Sequence, residues 1–349
     1  MKILVLLSTL QRGGMSRYAI DLSRCLSEIY NVNFAYFHED NKDSINNVSV
    51  NFLSSPKIVK FSKFTLAFWR FIKLSRLYIK EKFEIVICHD PSATLLALTL
   101  KIFFPSIKVI AICNVPKKLL TRLDLIIISK FYIKANIVVA PTAFIRDELN
   151  AIMKSRHAIV IRIPMPEISL ICDWPRNNAY SQKRFVFAGR LEPEKNPFFF
   201  LQMAQVDKQN DYLLFGDGKL LPSLKRFAYI NSIDNISFLG WRKMSDILQN
   251  AQIIVIPSLT ESFGIVAIEA WANAVPTIVS SSAQGIVENL DDELGVACNL
   301  KDGPQKWVEL ANKLKNQKIS DKAVINVIER YHTSQILELW RVEIEKIMN

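Results

Sequence analysis

Short, wholly apolar runs alternate with stretches of helical period along this chain. In the first half KILVLLS (2–8), VNFAYF (32–37), EIVICHD (84–90), KVIAICN (108–114), NIVVAP (136–141) and AIVIRIP (158–164) read as strands. Helical spacing falls near 14–29, 60–80, 92–103 and 142–153. In the second half RFVFAGR (184–190), YLLFGDG (212–218), ISFLG (236–240), QIIVIPS (252–258) and PTIVSS (276–281) repeat the theme. Strands without polar alternation are buried on both faces, which predicts mainly parallel sheets covered by helices. The proline-containing, aperiodic 164–183 reads as a linker between two doubly wound domains, 1–165 and 166–330. The last segment, 331–349, has helical spacing and is expected to pack back on the first domain. Two such domains facing each other predict a ligand cleft between the C-terminal ends of their strands.

Composition narrows the class. The chain has 349 residues, 50% hydrophobic, enough for two ordinary cores. Five scattered cysteines without a CxxC or CxxH pair fit a reducing compartment and argue against zinc. The N-terminal MKILVLLSTLQRGG reads as a buried strand rather than a signal peptide, and no apolar stretch is long enough to span a membrane. A cytoplasmic protein is expected.

The net charge of +11 sits in the first half, where residues 1–165 carry 24 Lys+Arg against 11 Asp+Glu. Segment 57–82 holds eight of those cations and only Glu81. On a helical wheel Phe61, Phe64, Phe68, Phe71, Ile72 and Ile79 share one arc, and Lys63, Arg70, Lys73, Arg76 and Lys80 another. Leu66, Trp69 and Leu77 project among the basic residues, an arrangement suited to lying on an anionic membrane surface. Residues 115–134 add five more cations. The charge could also attract nucleic acid, but no zinc-finger, RNP-like or helix-turn-helix signature accompanies it, so no nucleic-acid partner is expected.

The candidate chemistry lies in PSLTESFGIVAIEAWANAVP (257–276). A strand precedes it and a helix should begin near Gly264, placing Glu261 in the loop and Glu269 inside the helix. The exposed amides of a helix N-terminus favour a phosphate, and glycine lets it come close. Carboxylates on either side can accept hydrogen bonds from sugar hydroxyls. A nucleotide-sugar fits both requirements. In FVFAGRLEPEKNP (185–197), Arg190 and Lys195 can neutralise its diphosphate, ion pairing with Glu192 or Glu194 being the alternative use of those cations. Gly13 and Gly14 form a strand-to-helix turn without GxGxxG spacing.

Taken together RGGM, FAGRLEPEKN, LFGDGKLLPSLK, FLGW and ESFGIVAIEAWANAVPTIVS resemble the retaining glycosyltransferases of family 4, which have the GT-B fold. The resemblance implies that Arg190 and Lys195 bind the donor diphosphate, Glu261 the transferred sugar and Glu269 the ribose. It also implies backbone contacts from Phe263, Gly264 and Ile265, the base near Gly216 and FLGW, and Gly13 and Gly14 closing over the donor. Many relatives carry a sugar-contacting histidine after the strand KVIAICN; here Cys113 or Asn114 stands instead, and His89 is the nearest histidine toward the acceptor. No metal or cofactor is implied, and DDE (291–293) reads as a surface loop. The expected reaction is front-face transfer from a UDP- or GDP-type donor to a polyprenyl-diphosphate oligosaccharide or related surface glycan, by a protein peripheral to the inner face of the cell membrane. Nucleotide-sugar epimerisation, or a non-catalytic basic scaffold, are the alternatives.

Overall fold

The computed structural model describes residues 1–10, 13–39, 49–53, 63–165, 168, 184–315 and 317–349. The expected linker, 164–183, falls almost wholly outside them. The chain divides into two compact units, Met1–Pro166 with Tyr331–Asn349, and Glu167–Arg330.

The first unit runs β1 (Lys2–Leu10), α1 (Gly14–Leu26), β2 (Asn31–Glu39), β3 (Ser49–Phe52), α2 (Lys63–Glu81), β4 (Ile85–Cys88), α3 (Pro91–Phe103), β5 (Lys108–Ile112), α4 (Arg122–Phe131), β6 (Ile137–Ala140), α5 (Ala143–Met153) and β7 (Ala158–Val160). All seven strands are parallel, in the order β3-β2-β1-β4-β5-β6-β7. Ile3 to Leu7, Ile85 to Cys88 and Val109 to Ile112 are fully buried, as helices on both faces require. The loop ends are locally encoded. Asp90 caps α3, accepting from the Ala93 amide at 2.9 Å with Pro91 in the first turn, and Thr142 caps α5. A reciprocal Thr121–Asp124 capping box starts α4. The C-terminal helix, Thr333–Met348, belongs to this unit and packs on α1 through buried Ile336, Trp340 and Ile344.

The second unit runs β8 (Arg184–Ala188), α6 (Pro197–Val206), β9 (Asp211–Phe215), α7 (Leu221–Ile230), β10 (Ile236–Gly240), α8 (Met244–Leu248), β11 (Ile253–Ile256), α9 (Ile265–Ala272), β12 (Thr277–Ser280), α10 (Gln284–Val287), β13 (Gly295–Cys298) and α11 (Gly303–Leu314). Its parallel sheet is ordered β10-β9-β8-β11-β12-β13. Each sheet therefore has one switch point, between β1 and β4 in the first and between β8 and β11 in the second, where the chain reverses its direction of growth. Loops leaving the C-terminal ends of those strands form the crevice in which doubly wound sheets bind ligands.

One sequence expectation is corrected. The face of α2 turned to the core is Phe71, Leu74, Leu77 and Tyr78, so Leu77 is buried rather than among the basic residues. Phe68 (61% exposed) and Ile79 (57%), which share an arc with Phe71 by their spacing, face outward. With aromatic residues on several sides of the helix, the i, i+3, i+4 stripe of Leu74, Leu77 and Tyr78 is the one that meets the sheet. Phe61 and the side chain of Phe64 lie outside the described residues.

Candidate functional site

In the second unit, the loops after β8 and β11 meet at the switch point. After β8 come Gly189, Arg190 and a short turn, Pro193–Lys195, before α6. After β11 come Ser258 to Phe263, and Gly264 is the N-cap of α9. The Leu259 amide donates to the Glu194 carbonyl at 2.8 Å, stitching the two loops together. Across that seam the Lys195 ammonium is paired with Glu261 Oε1, which also accepts from Ser258 Oγ at 3.0 Å. Among the described residues Glu261 Oε2 has no protein hydrogen bond. The pair is largely withdrawn from water, the side chains being 23% and 11% exposed. Arg190 is more open, at 53%, and donates to Glu194 Oε1 at 2.8 Å. Of the two uses the sequence left open for these cations, pairing with Glu194 occurs for Arg190, whereas Lys195 reaches Glu261 instead.

Gly264 explains the shape of the second loop. Its φ of 82° is left-handed, and a Cβ there would run into the Ile286 side chain. The helix it opens has no side-chain cap, so its first-turn amides are left to whatever lies in front of them. Glu269 sits in α9, 3% exposed, and Phe263 is buried beneath the loop. The helix stops at Asn273, whose side chain donates to the Glu269 carbonyl, while the left-handed residue is Ala274. Gly216, at the end of β9, packs so tightly on the Gly189 carbonyl that no side chain fits. The Leu191 amide donates to the Asp217 carbonyl at 2.9 Å, and the Gly216 amide to the Gly240 carbonyl at 2.8 Å. Arg190, Lys195, Glu261, Phe263, Gly264, Ile265 and Gly216 thus stand on neighbouring loops at one edge of one sheet. Ser258 is not among the residues the sequence singles out, and Glu194 is named there only beside Glu192. Ser258, three residues before Glu261 at the end of a strand, carried a readable signal; Glu194 competed with Glu192, and spacing alone does not choose between them.

The corresponding edge of the first sheet carries the remaining residues singled out from the sequence. Gly13, exposed, is the N-cap of α1 and Gly14 its first residue. Asp90 clamps the end of β1, with Oδ2 accepting from the Ser8 amide and Oδ1 from Ser8 Oγ, both at 2.7 Å. Next to it His89 is fully buried edge-on to Tyr18, ring centroids 4.9 Å apart, and among the described residues neither imidazole nitrogen nor the Tyr18 hydroxyl has a hydrogen-bond partner. Burial alone pulls the His89 pKa down to about 3, so the ring is neutral at physiological pH. Asn114, after the neighbouring β5, is 8% exposed, and its Oδ1 has no hydrogen-bond partner among the described residues. Cys113 is buried, and its thiol is pushed up to about 12, which makes it a small apolar group rather than a nucleophile. Asp291 of the DDE triplet accepts from the Glu293 and Leu294 amides, the role of a turn residue. Among the described residues no three His, Cys, Asp or Glu side chains are grouped as metal ligands.

These two parallel sheets, each with one switch point, define the GT-B fold of two Rossmann-like domains. The family described as glycosyltransferase family 4 matches residues 12–164, and glycosyl transferases group 1 matches 182–317. Each match falls within one of the two compact units. It is 34% identical over 107 residues to UDP-Gal:alpha-D-GlcNAc-diphosphoundecaprenol alpha-1,3-galactosyltransferase of Escherichia coli, covering 28% of this chain and 27% of that one. It is 23% identical to GalNAc-alpha-(1->4)-GalNAc-alpha-(1->3)-diNAcBac-PP-undecaprenol alpha-1,4-N-acetyl-D-galactosaminyltransferase of Campylobacter jejuni, over 100% of this chain and 99% of the relative. The first curated relatives are matched over about a quarter to a half of their own length. Among solved structures, HepE of Anabaena in complex with UDP and glucose superposes with a TM-score of 0.84 at 15% identity, over 99% of this chain and 100% of that one.

Proposed function

We propose that the protein is a retaining glycosyltransferase that moves a sugar from a UDP- or GDP-type donor to a polyprenyl-diphosphate oligosaccharide or a related surface glycan. The observation that carries this reading is the Lys195–Glu261 pair spanning the switch-point loops beside the uncapped start of α9. An ammonium has three donors and a guanidinium five, so pairing with Glu261 and Glu194 orients Lys195 and Arg190 without exhausting them. Their remaining donors, with the amides at Gly264 and Ile265, suit a diphosphate. Glu261 Oε2 is left to accept a hydroxyl of the transferred sugar. Glu269 accepts from the ribose, and the base lies toward Gly216 and the FLGW segment. Gly13 and Gly14 offer backbone to the donor phosphates, and His89 and Asn114 serve the acceptor side, where relatives' names supply the substrate class: two of them act on undecaprenol-diphosphate glycans.

In the transfer, the bond from the anomeric carbon to the donor phosphate oxygen breaks as the bond to the acceptor oxygen forms on the same face. The acceptor hydroxyl gives its proton to the departing phosphate oxygen. Arg190 and Lys195 stabilise the negative charge that grows on the nucleoside diphosphate, so positioned electrostatics supply the catalysis. A surface on the first unit suits a lipid-borne acceptor. Trp69 and Phe68 on α2, Ile102 and Phe103 on α3, and Leu123 and Ile126 on α4 are exposed on neighbouring helices, of which α2 carries Lys63, Arg70, Lys73, Arg76 and Lys80. No helix among the described residues is long and apolar enough to cross a membrane, so contact of this kind would be peripheral. The direct test is incubation with nucleotide-sugars and membrane lipid extract. Growth of a lipid-linked glycan with conserved anomeric configuration supports transfer, whereas an altered free nucleotide-sugar without growth identifies an epimerase.

A further inference from the structure

The two oxygens of the Glu261 carboxylate are used unequally. Oε1 accepts from the Ser258 hydroxyl at 3.0 Å and is paired with the Lys195 ammonium, which occupies both lone-pair directions of that oxygen. Oε2 has no protein hydrogen bond among the described residues. The two partners of Oε1 differ in what they can fix. An ammonium on a flexible four-carbon stem supplies countercharge and can follow the carboxylate as it turns. A serine hydroxyl on the same loop, three residues away and only 1% exposed, reaches a single place.

The backbone beneath Glu261 is held by other contacts. The Gly285 amide donates to the Glu261 carbonyl at 3.1 Å, and a Cβ at Gly285 would collide with the Ser262 carbonyl. One residue on, the Ile286 side chain fills the space left by the missing Cβ of Gly264. On the opposite side the Leu259 amide is tied to the Glu194 carbonyl. The course of the loop is therefore set by α10 and by the turn after β8, and the Ser258 hydroxyl acts on the Glu261 side chain alone.

We propose that Ser258 is a positioning residue of the transfer, holding Glu261 so that Oε2 alone meets the transferred sugar, the proposal resting on the glycosyltransferase reading above. The nucleoside diphosphate is held by other groups, Arg190, Lys195 and the amides at Gly264 and Ile265. Loss of the hydroxyl leaves the nucleotide in place and lets the sugar drift from the reacting geometry, which weakens the transition state more than the bound ground state.

The test combines steady-state kinetics of the full-length protein with calorimetric titration of UDP and GDP. The donors are UDP-hexoses, UDP-N-acetylhexosamines and GDP-mannose, with membrane lipid extract as acceptor. Ser258→Ala should lower kcat about tenfold to a hundredfold, the range for a hydrogen bond to a charged group, with a smaller change in the donor KM. Its affinity for UDP or GDP should equal that of wild type, because neither carries the sugar. Ser258→Cys, which restores the volume and offers only a weak donor, should lose as much turnover as the alanine variant. A hydroxyl that served stability alone would show no such split between sugar transfer and nucleotide binding. The proposal is overturned if either variant keeps the wild-type kcat, or if the loss lies wholly in KM. It is also overturned if nucleotide affinity falls in parallel with turnover, which would assign the hydroxyl to the shape of the loop. Cooperative thermal unfolding above the assay temperature shows that a variant is folded; should Ser258→Ala fail this, the near-isosteric Ser258→Cys carries the test. Failure of the glycosyltransferase reading would appear separately, as wild-type protein that binds neither UDP nor GDP and turns over no donor.

Discussion

Replacing Lys195 by methionine should separate the structural from the chemical role of the Lys195–Glu261 pair. The side chains are 23% and 11% exposed, which places the pair between a surface ion pair, worth up to about 1 kcal/mol, and a buried one, whose disruption costs about 3–5 kcal/mol. Ser258 Oγ remains on Glu261 Oε1, so the stranded carboxylate keeps one partner. Lys195→Met should therefore lower stability by about 1–3 kcal/mol in urea denaturation. Glu261→Gln in the same chain removes the uncompensated charge and should return about 1–2 kcal/mol of that loss. Turnover should behave differently. Removing a fixed positive group from a developing leaving-group charge costs about 100- to 1000-fold in kcat, and a neutral glutamine cannot restore it. The double variant should be stable and inactive. Recovery of turnover together with stability, or a single variant that remains fully active, would refute the reasoning.

His89 has a pKa of about 3 in the fold, below its ordinary 6.5, so below pH 6.5 the unfolded chain binds a proton that the folded ring refuses. Its contribution to stability is fully present above pH 6.5 and is lost progressively as pH falls toward 3. By pH 5 the loss is roughly 2 kcal/mol, and His89→Gln should abolish that component in urea titrations compared at pH 7.5 and 5; parallel pH profiles would count against it. On the first unit, Phe68→Ser with Trp69→Ser should reduce flotation with anionic liposomes, and high salt should do the same. Equal recovery with neutral liposomes would remove anionic lipid as the partner.

Much of the fold is legible because strand burial is written directly in residues such as Ile3–Leu7 and Ile253–Ile256. The start of α9 is legible because Gly264 is the residue that can hold a left-handed φ there. The edge strand Ser49–Phe52 and the four-residue Gly295–Cys298 were not found, being too short to show a period. Helix α4 was read only as a basic run, although Thr121 and Asp124 spell out its capping box. The facing of α2 was misjudged because several of its arcs are apolar, and only packing on the sheet decides between them. Lys195 and Glu261 were both picked out, but their pairing joins residues 66 apart, which no local pattern encodes.

Titration of UDP and GDP into full-length protein, beside an Arg190→Gln, Lys195→Met double variant, tests the central claim most directly. Wild type should bind one of the two nucleotides with a Kd on the order of micromolar, about −8 kcal/mol, and the variant should bind it at least about tenfold more weakly. Absence of binding by wild type, or equal affinity in the variant, would contradict the placement of a donor diphosphate at the loops after β8 and β11.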